Sequence, residues 1–273
     1  MLNILKQSFM ISNKYIILAT PLIIFSLLSS FYIIFSANGT LLGLIFALIL
    51  FSLMFVAFLS GWFCMVKDAI SDEYPNEPNS LIKKFPEGVG EYFLPVSGMI
   101  FISFVFSSAI YILIYLLGIK YIGDIGISLE KFSQAMESTA ALKLFVASLT
   151  KEQIIKINLW NLLILLTTAF IYYILMFYPT ALFYKQKNPF KAFFVGLKDL
   201  FCRRFFKNLF LYTNLFVSYI ILSIFTTIFG HNIIMHFIFT LVNFYYLVVV
   251  AVFVFNYYYN NYICVGKNID KVL

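Results

Sequence analysis

Residues 41–66 read LLGLIFALILFSLMFVAFLSGWFCMV, a stretch from Leu41 to Val66 without one Asp, Glu, Lys or Arg. A hydrocarbon core of ~30 Å needs about 20 apolar residues of α-helix at ~1.5 Å each, so this stretch can cross it with room for tilt. Its apolar residues are continuous rather than alternating, which selects a helix over a barrel strand. Five further runs lack acidic residues, Lys and Arg in the same way: Tyr15–Phe35, Phe93–Leu117, Leu159–Phe183, Asn208–Phe229 and Ile233–Tyr257. The fold class read from them is all-α: a polytopic membrane protein with six spans, one integral membrane domain over residues 1–273.

Composition agrees. The chain has 273 residues, of which 62% are hydrophobic, 20% aromatic and 11% charged. Soluble domains have roughly 45–50% apolar and roughly 25% charged residues, and 19 Lys and Arg with 12 Asp and Glu cannot cover so much apolar surface. A water-soluble globule is excluded. The first run is too long for the ~7–15-residue core of a secretory signal, and Ser36-Ala37-Asn38 offers no small-x-small cleavage site. Cys64, Cys202 and Cys264 fall near like ends of their helices and are read as reduced.

Basic residues set the orientation. Lys6, Lys14, Lys67, Lys83, Lys84, seven residues between Lys185 and Lys207, Lys267 and Lys271 make 14 on one side of the six runs. Lys120, Lys131, Lys143, Lys151 and Lys156, all in the third connection, make the other 5. The positive-inside bias places both termini in the cytoplasm. In the fourth connection the seven cations face only Asp199, and each is worth ~1 kcal/mol against an anionic leaflet. Lys191, Lys198, Arg203, Arg204 and Lys207 are therefore the candidate lipid-headgroup contacts, and anionic membrane lipids the expected partner. Because these cations alternate with phenylalanines at a membrane edge, a nucleic-acid partner is not expected.

The connections alternate between short and long, which arranges the spans as three tandem hairpins with interfacial amphipathic helices. A lysine-bearing segment leads into each odd-numbered span: Asn3–Lys14, Asn79–Tyr92 and Asn188–Lys207. This is either an internal repeat or what any even-numbered bundle with basic flanks would show. In the third segment Phe190, Phe193, Phe194, Leu197, Phe201 and Phe205 share one arc at 3.6 residues per turn. Lys191, Asp199, Arg203 and Lys207 lie outside it, and Arg204 intrudes on it and must snorkel. Asn188 caps and Pro189 opens this helix, which docks a partner, senses lipid, or anchors in the membrane plane and fixes the tilt of the fifth span. In the second segment Pro86, Gly88 and Gly90 predict a short helix around Asn79–Phe85 followed by a bend.

The third connection, residues 118–158, is too long for a plain loop. Ser128 is positioned to cap a helix with Leu129, Phe132, Met136, Ala140 and Leu144 on one face, acting as a lid or as a spacer. Thr150 and Gln153 form a capping box that starts the fourth helix ahead of its span. Within the spans, Ser26/Ser30, Ala57/Gly61 and Ser103/Ser107 are small-xxx-small pairs for close helix approach. A turn at Gly230–Asn232 pairs Ser218 with Asn243 and Asn214 with Tyr246 in depth. Pro21, Pro95 and Pro179 are candidate kinks.

Chemistry-bearing patterns are scarce. No Asp, Glu, Lys or Arg lies in a span, and the two histidines, His231 and His236, are five apart rather than the i, i+4 of a helical metal site. Asp68 and Asp72, with Glu73 and Glu77, either bind a divalent ion or form a solvated loop that pairs with Lys67, Lys83 and Lys84. No phosphate loop, HExxH or GxSxG is present. Catalytic, cofactor and metal residues are accordingly assigned to none.

The run Phe177-Tyr178-Pro179-Thr180-Ala181-Leu182-Phe183, followed by Asn188-Pro189-Phe190-Lys191-Ala192-Phe193, Leu197-Lys198 and Phe205-Phe206-Lys207-Asn208, resembles a pattern in bacterial six-helix membrane proteins. That group includes the membrane domain attached to some glycerophosphoryl diester phosphodiesterases, and free-standing relatives. The resemblance covers residues 177–229 and is architectural elsewhere. It implies an accessory or lipid-associated module in a bacterial inner membrane and carries over no catalytic residue. The expected function is a non-catalytic membrane module, not an enzyme, that organises lipid or a partner protein. The alternatives are a permease for an apolar or amphipathic molecule, resting on the polar residues of spans four to six, and a headgroup enzyme using Asp68 and Asp72.

Overall fold

A computed structural model describes residues 1–36, 40–71, 78–128, 133–135, 138–202, 204–229 and 232–264. The described residues form helices joined by turns, with no strand. In chain order these are α1 (Leu2–Lys14), a 3-10 turn (Ile16–Leu18), α2 (Ala19–Ser36), α3 (Leu41–Ile70), α4 (Pro78–Tyr121), α5 (Thr139–Ser148), α6 (Lys151–Leu175), α7 (Tyr178–Tyr184), α8 (Pro189–Cys202), α9 (Phe205–Phe229) and α10 (Ile233–Tyr258), closed by a π-turn (Tyr259–Ile263). Five helices are long and apolar enough to cross a membrane, and a bent pair running from α1 into α2, turned by 80°, makes a sixth. The chain divides into two compact units, residues 1–103 with 173–273, and residues 104–172.

The first unit holds the large core. Phe25 stacks on Phe58 at 4.5 Å, Phe58 on Trp62 at 5.7 Å, Phe63 on Phe255 at 5.4 Å and Tyr92 on Phe183 at 4.2 Å. One aromatic column thus ties together α2, α3, α4, α7 and α10, which is where the high aromatic content goes. α1 lies against α10 through a polar face: Ser8 and Ser12 are buried, and Asn256 Nδ2 donates to Ser8 Oγ at 3.0 Å. The indole of Trp62 donates to the carbonyl of Leu18 at 2.9 Å, satisfying a backbone group at the bend between α1 and α2. Cys64 and Cys264 are free thiols; the side chain of Cys202 lies outside the described residues.

Two expectations need correction. Asn79–Phe85 is not a short helix before a bend; α4 runs unbroken through Pro86 and Pro95. The glycine after Pro86 serves packing instead. A Cβ on Gly88 would collide with Cβ of Cys64 and stand 2.9 Å from the carbonyl oxygen of Ser60, and across the same contact Gly61 lies under the ring of Phe85. The small residues let α3 and α4 approach closely enough to hold the segment helical.

The run Leu159–Phe183 lies within one candidate span, Lys151–Tyr184, interrupted by a two-residue turn at the candidate kink before Pro179. α6 ends at Leu175 and α7 starts at Tyr178 with Pro179 in its first turn. A proline ring crowds the carbonyl four residues back, which here is that of Leu175, so the helix stops there and restarts. Second, the polar residues of the hairpin of α9 and α10 take other partners. Ser218 Oγ and Tyr246 OH share a hydrogen bond of 2.7 Å, and Asn243 faces Thr226 at 3.5 Å, while Asn214 bonds back to Phe210 of its own helix. Tyr246 donates to the Leu215 carbonyl at 2.9 Å, beside Asn214, so its depth is the expected one while its side-chain partner is Ser218.

The second unit is smaller. The capping box forms as read, with Thr150 N donating to Gln153 Oε1 at 3.0 Å and Gln153 N to Thr150 Oγ1 at 3.2 Å, so α6 begins at Lys151. The indole of Trp160 donates to the Gly123 carbonyl at 3.2 Å and its ring covers Gly118, where a Cβ would overlap it. Tyr111 and Thr168 share a 2.7 Å hydrogen bond. Gly123 and Gly126 hold φ of +80° and +70°, which only glycine adopts without strain, and turn the chain after α4. The expected helix after Ser128 falls partly outside the described residues, at Leu129–Phe132 and Met136. The described helix, α5, is capped by Ser138, whose Oγ accepts from Ala141 N at 3.1 Å.

Candidate functional site

α7 and α8 form a tight helical hairpin. Asn188 Oδ1 accepts from Lys191 N at 3.1 Å and caps α8, with Pro189 in its first position. Tyr178 donates its hydroxyl to the Pro189 carbonyl at 3.0 Å. Ala181 and Ala192 are fully buried, and a Cβ on Gly196 would lie 3.2 Å from the Phe177 carbonyl oxygen, so the hairpin closes on small residues.

The inner face of α8 is therefore Ala192, Gly196, Asp199 and Leu200, at spacings of four, three and one. The phenylalanine arc splits the other way: Phe190 is 62% exposed and Phe194 66%, with Phe201 also exposed. Part of the apolar side of this amphipathic helix thus points out of the protein while Phe193 packs edge-on against Tyr178, and its small and acidic side points in. Asp199, placed by periodicity among the solvated residues, is only 8% exposed.

Asp199 is the centre of a buried polar cluster. Its Oδ2 accepts from Lys185 Nζ at 2.7 Å and from Tyr258 OH at 2.5 Å. The Lys185 ammonium also lies 5.2 Å from the ring centroid of Tyr258 and 5.7 Å from that of Tyr262, within cation–π range. Beside the pair, the side chain of Asn208, itself fully buried, donates to the Leu200 carbonyl at 2.8 Å and to that of Asp199 at 3.3 Å. Its Oδ1 accepts from Tyr257 OH and Tyr262 OH, each at 3.0 Å. The break between α8 and α9 is thus satisfied by one amide, and the break is pinned to α10 and its π-turn by three phenols. A buried charge needs such partners, since leaving it unpaired costs several kcal/mol.

The candidate headgroup residues separate. Lys191, Lys198 and Lys207 are exposed. Arg204 is half-buried and donates to Asn261 Oδ1, so its guanidinium is held by the π-turn rather than snorkelling free. Arg203 lies outside the described residues, as do Asp72, Glu73, Glu77, His231, Lys267 and Lys271. Among the described residues no three His, Cys, Asp or Glu side chains converge. The cluster of Lys185, Asp199, Asn208, Tyr257, Tyr258 and Tyr262 is not evident from the sequence; the available signals are the lone acid Asp199 among the cations of the fourth connection and, separately, the tyrosine run Tyr257–Tyr259.

A second feature of the same unit is a cavity of about 380 Å³ between α2, α3 and the first turns of α4. Thr20 is the only polar residue in its wall. A search of family models, of curated proteins and of solved structures finds no match to this chain.

Proposed function

We propose that the chain is a non-catalytic, multi-pass membrane module that associates with anionic lipid at the cytoplasmic face of a bacterial inner membrane. Its six spans form three hairpins, and both termini are cytoplasmic. The observation that carries this reading is the orientation of α8. Outward Phe190, Phe194 and Phe201 have no stable place in water, and exposed Lys191 and Lys198 have none in hydrocarbon. Both are accommodated where acyl chains meet headgroups. The Lys185–Asp199 pair and the Asn208 amide then fix the helix so that this face is presented permanently. The likeness of residues 177–229 to the membrane domain of glycerophosphoryl diester phosphodiesterases supports an accessory role rather than an enzymatic one.

The test is thermal stability in vesicles of phosphatidylcholine with and without phosphatidylglycerol. The native chain is expected to gain stability from the anionic lipid, with the gain shrinking as salt rises. In a Lys191→Ala/Lys198→Ala/Lys207→Ala variant the gain is expected to fall by up to ~3 kcal/mol at ~1 kcal/mol per lysine. Identical melting in both lipids at low salt would remove the proposal.

A further inference from the structure

The cavity between α2, α3 and α4 has an occupant that its size and surroundings identify. We propose that it binds one acyl chain of an anionic phospholipid, with Lys83 beside the headgroup; this deepens the reading of the chain as a lipid-associated module and rests on it. The volume, about 380 Å³, is within the ~300–1,000 Å³ of small-ligand sites. A partner helix, ~10–12 Å across, is too thick to enter. The space is elongated along the helices: its wall on α2 runs from Thr20 to Leu28, two turns or ~12 Å at ~1.5 Å per residue.

Its mouth is lateral. Ile24, Leu28 and Ile82 line it and are 52%, 48% and 47% exposed. An apolar slot that opens sideways from a spanning helix pair meets hydrocarbon, and the molecules available there are acyl chains. Phe85 forms part of the wall while its ring covers Gly61, so the wall is held by the same contact that brings α4 to α3. Pro86, also in the wall, has no N–H to offer, which keeps that end apolar.

Charge specifies the headgroup. Lys83 adjoins Ile82 and stands one turn before Pro86 on the same side of α4. It is exposed and has no acidic partner among the described residues, whereas its neighbour Lys84 is bound to Glu87 at 2.5 Å. A cation with no acidic partner among the described residues, next in sequence to the wall residue Ile82, fits a phosphodiester carrying net negative charge better than a zwitterion.

Trp62 provides a reporter, because Phe58 both lines the cavity and stacks on that indole. A Trp160→Phe variant leaves it as the only tryptophan. The full chain is reconstituted in nanodiscs of phosphatidylcholine doped with dibrominated-acyl phosphatidylglycerol or dibrominated-acyl phosphatidylcholine, and quenching of Trp62 is titrated. Half-maximal quenching is expected at a lower fraction of the brominated anionic lipid, and Lys83→Ala is expected to weaken that preference about fivefold. Ala57→Phe, which fills the slot, is expected to abolish the saturable component. Equal, non-saturating quenching by both lipids in the native chain and in Lys83→Ala overturns the proposal, and this reading does not depend on whether Ala57→Phe folds. If the anionic-lipid stabilisation carried by Lys191 and Lys198 persists while the quenching is unselective, only the slot fails. If both vanish, the lipid-associated module fails with it.

Discussion

The hydroxyl of Tyr258 and the carboxylate of Asp199, 59 residues apart in sequence, meet at 2.5 Å in the interior of the protein. The ammonium of Lys185 joins the same carboxylate oxygen from the end of α7. Three elements separated along the chain are therefore fixed to one atom. A buried ion pair contributes little net stability compared with apolar packing, but breaking it strands a charge.

Asp199→Ala is thus expected to destabilise the protein by about 2–3 kcal/mol, below the ~3–5 kcal/mol of a fully buried pair because the Lys185 side chain is about a quarter exposed. Asp199→Asn keeps an acceptor for Tyr258 and should cost less. Lys185→Met combined with Asp199→Leu should recover most of the loss. Thermal unfolding of the purified variants in one detergent checks the order; equal stability of Asp199→Ala and the native chain would show that the pair is not held in the folded state.

Asn208→Ala removes the acceptor of two phenols and the donor to two carbonyls at the α8–α9 break. With interhelical hydrogen bonds worth ~0.6–2 kcal/mol each in lipid, a loss of about 2–4 kcal/mol is expected. Asn214→Ala, whose amide only bonds back to the Phe210 carbonyl on an exposed face, should stay within ~0.5 kcal/mol. Denaturation of the two variants side by side separates a structural amide from an incidental one.

Gly88 and Gly90 sit in one helix and invite opposite outcomes. Gly88→Ala places a methyl onto Cys64 and the Ser60 carbonyl and should cost about 1–3 kcal/mol. Gly90→Ala meets nothing within 4 Å and should be neutral or stabilising by up to ~1 kcal/mol. If both substitutions stabilise, α4 does not approach α3 at this point.

The hydroxyl contact between α9 and α10 is open to mutation. Tyr246→Phe removes the hydroxyl that meets Ser218 Oγ and the Leu215 carbonyl and is expected to cost about 0.6–2 kcal/mol in thermal unfolding. Melting equal to that of the native chain would show that this contact adds nothing to the hairpin.

The helical class and the positions of the apolar runs were readable from the sequence, because a requirement for about 20 uncharged residues is set by the bilayer and not by any neighbour. Local signals held as well: Thr150 with Gln153, and Asn188 before Pro189, are caps that need only residues close in sequence. The burial of Asp199 was not readable. Periodicity finds the apolar arc of α8 and sets Asp199 outside it, but it does not say that Gly196 and Asp199 face the protein interior while Phe190 and Phe194 point outward. Gly88 reads as a helix breaker until the Cys64 side chain opposite it is known. In each failure the deciding partner lies on another helix.

The orientation of α8 is tested most directly by nitroxide accessibility at two positions, Phe194→Cys and Lys198→Cys, labelled in a background without the native cysteines and reconstituted in anionic vesicles. The label at 194 is expected to collide with dissolved oxygen in the acyl region and to be shielded from a water-soluble nickel chelate. The label at 198, about 40° further round the helix at 3.6 residues per turn and on its cationic flank, is expected to meet the chelate at the headgroup level. A label at 194 as open to the chelate as the label at 198 would contradict the placement of this helix in the membrane interface.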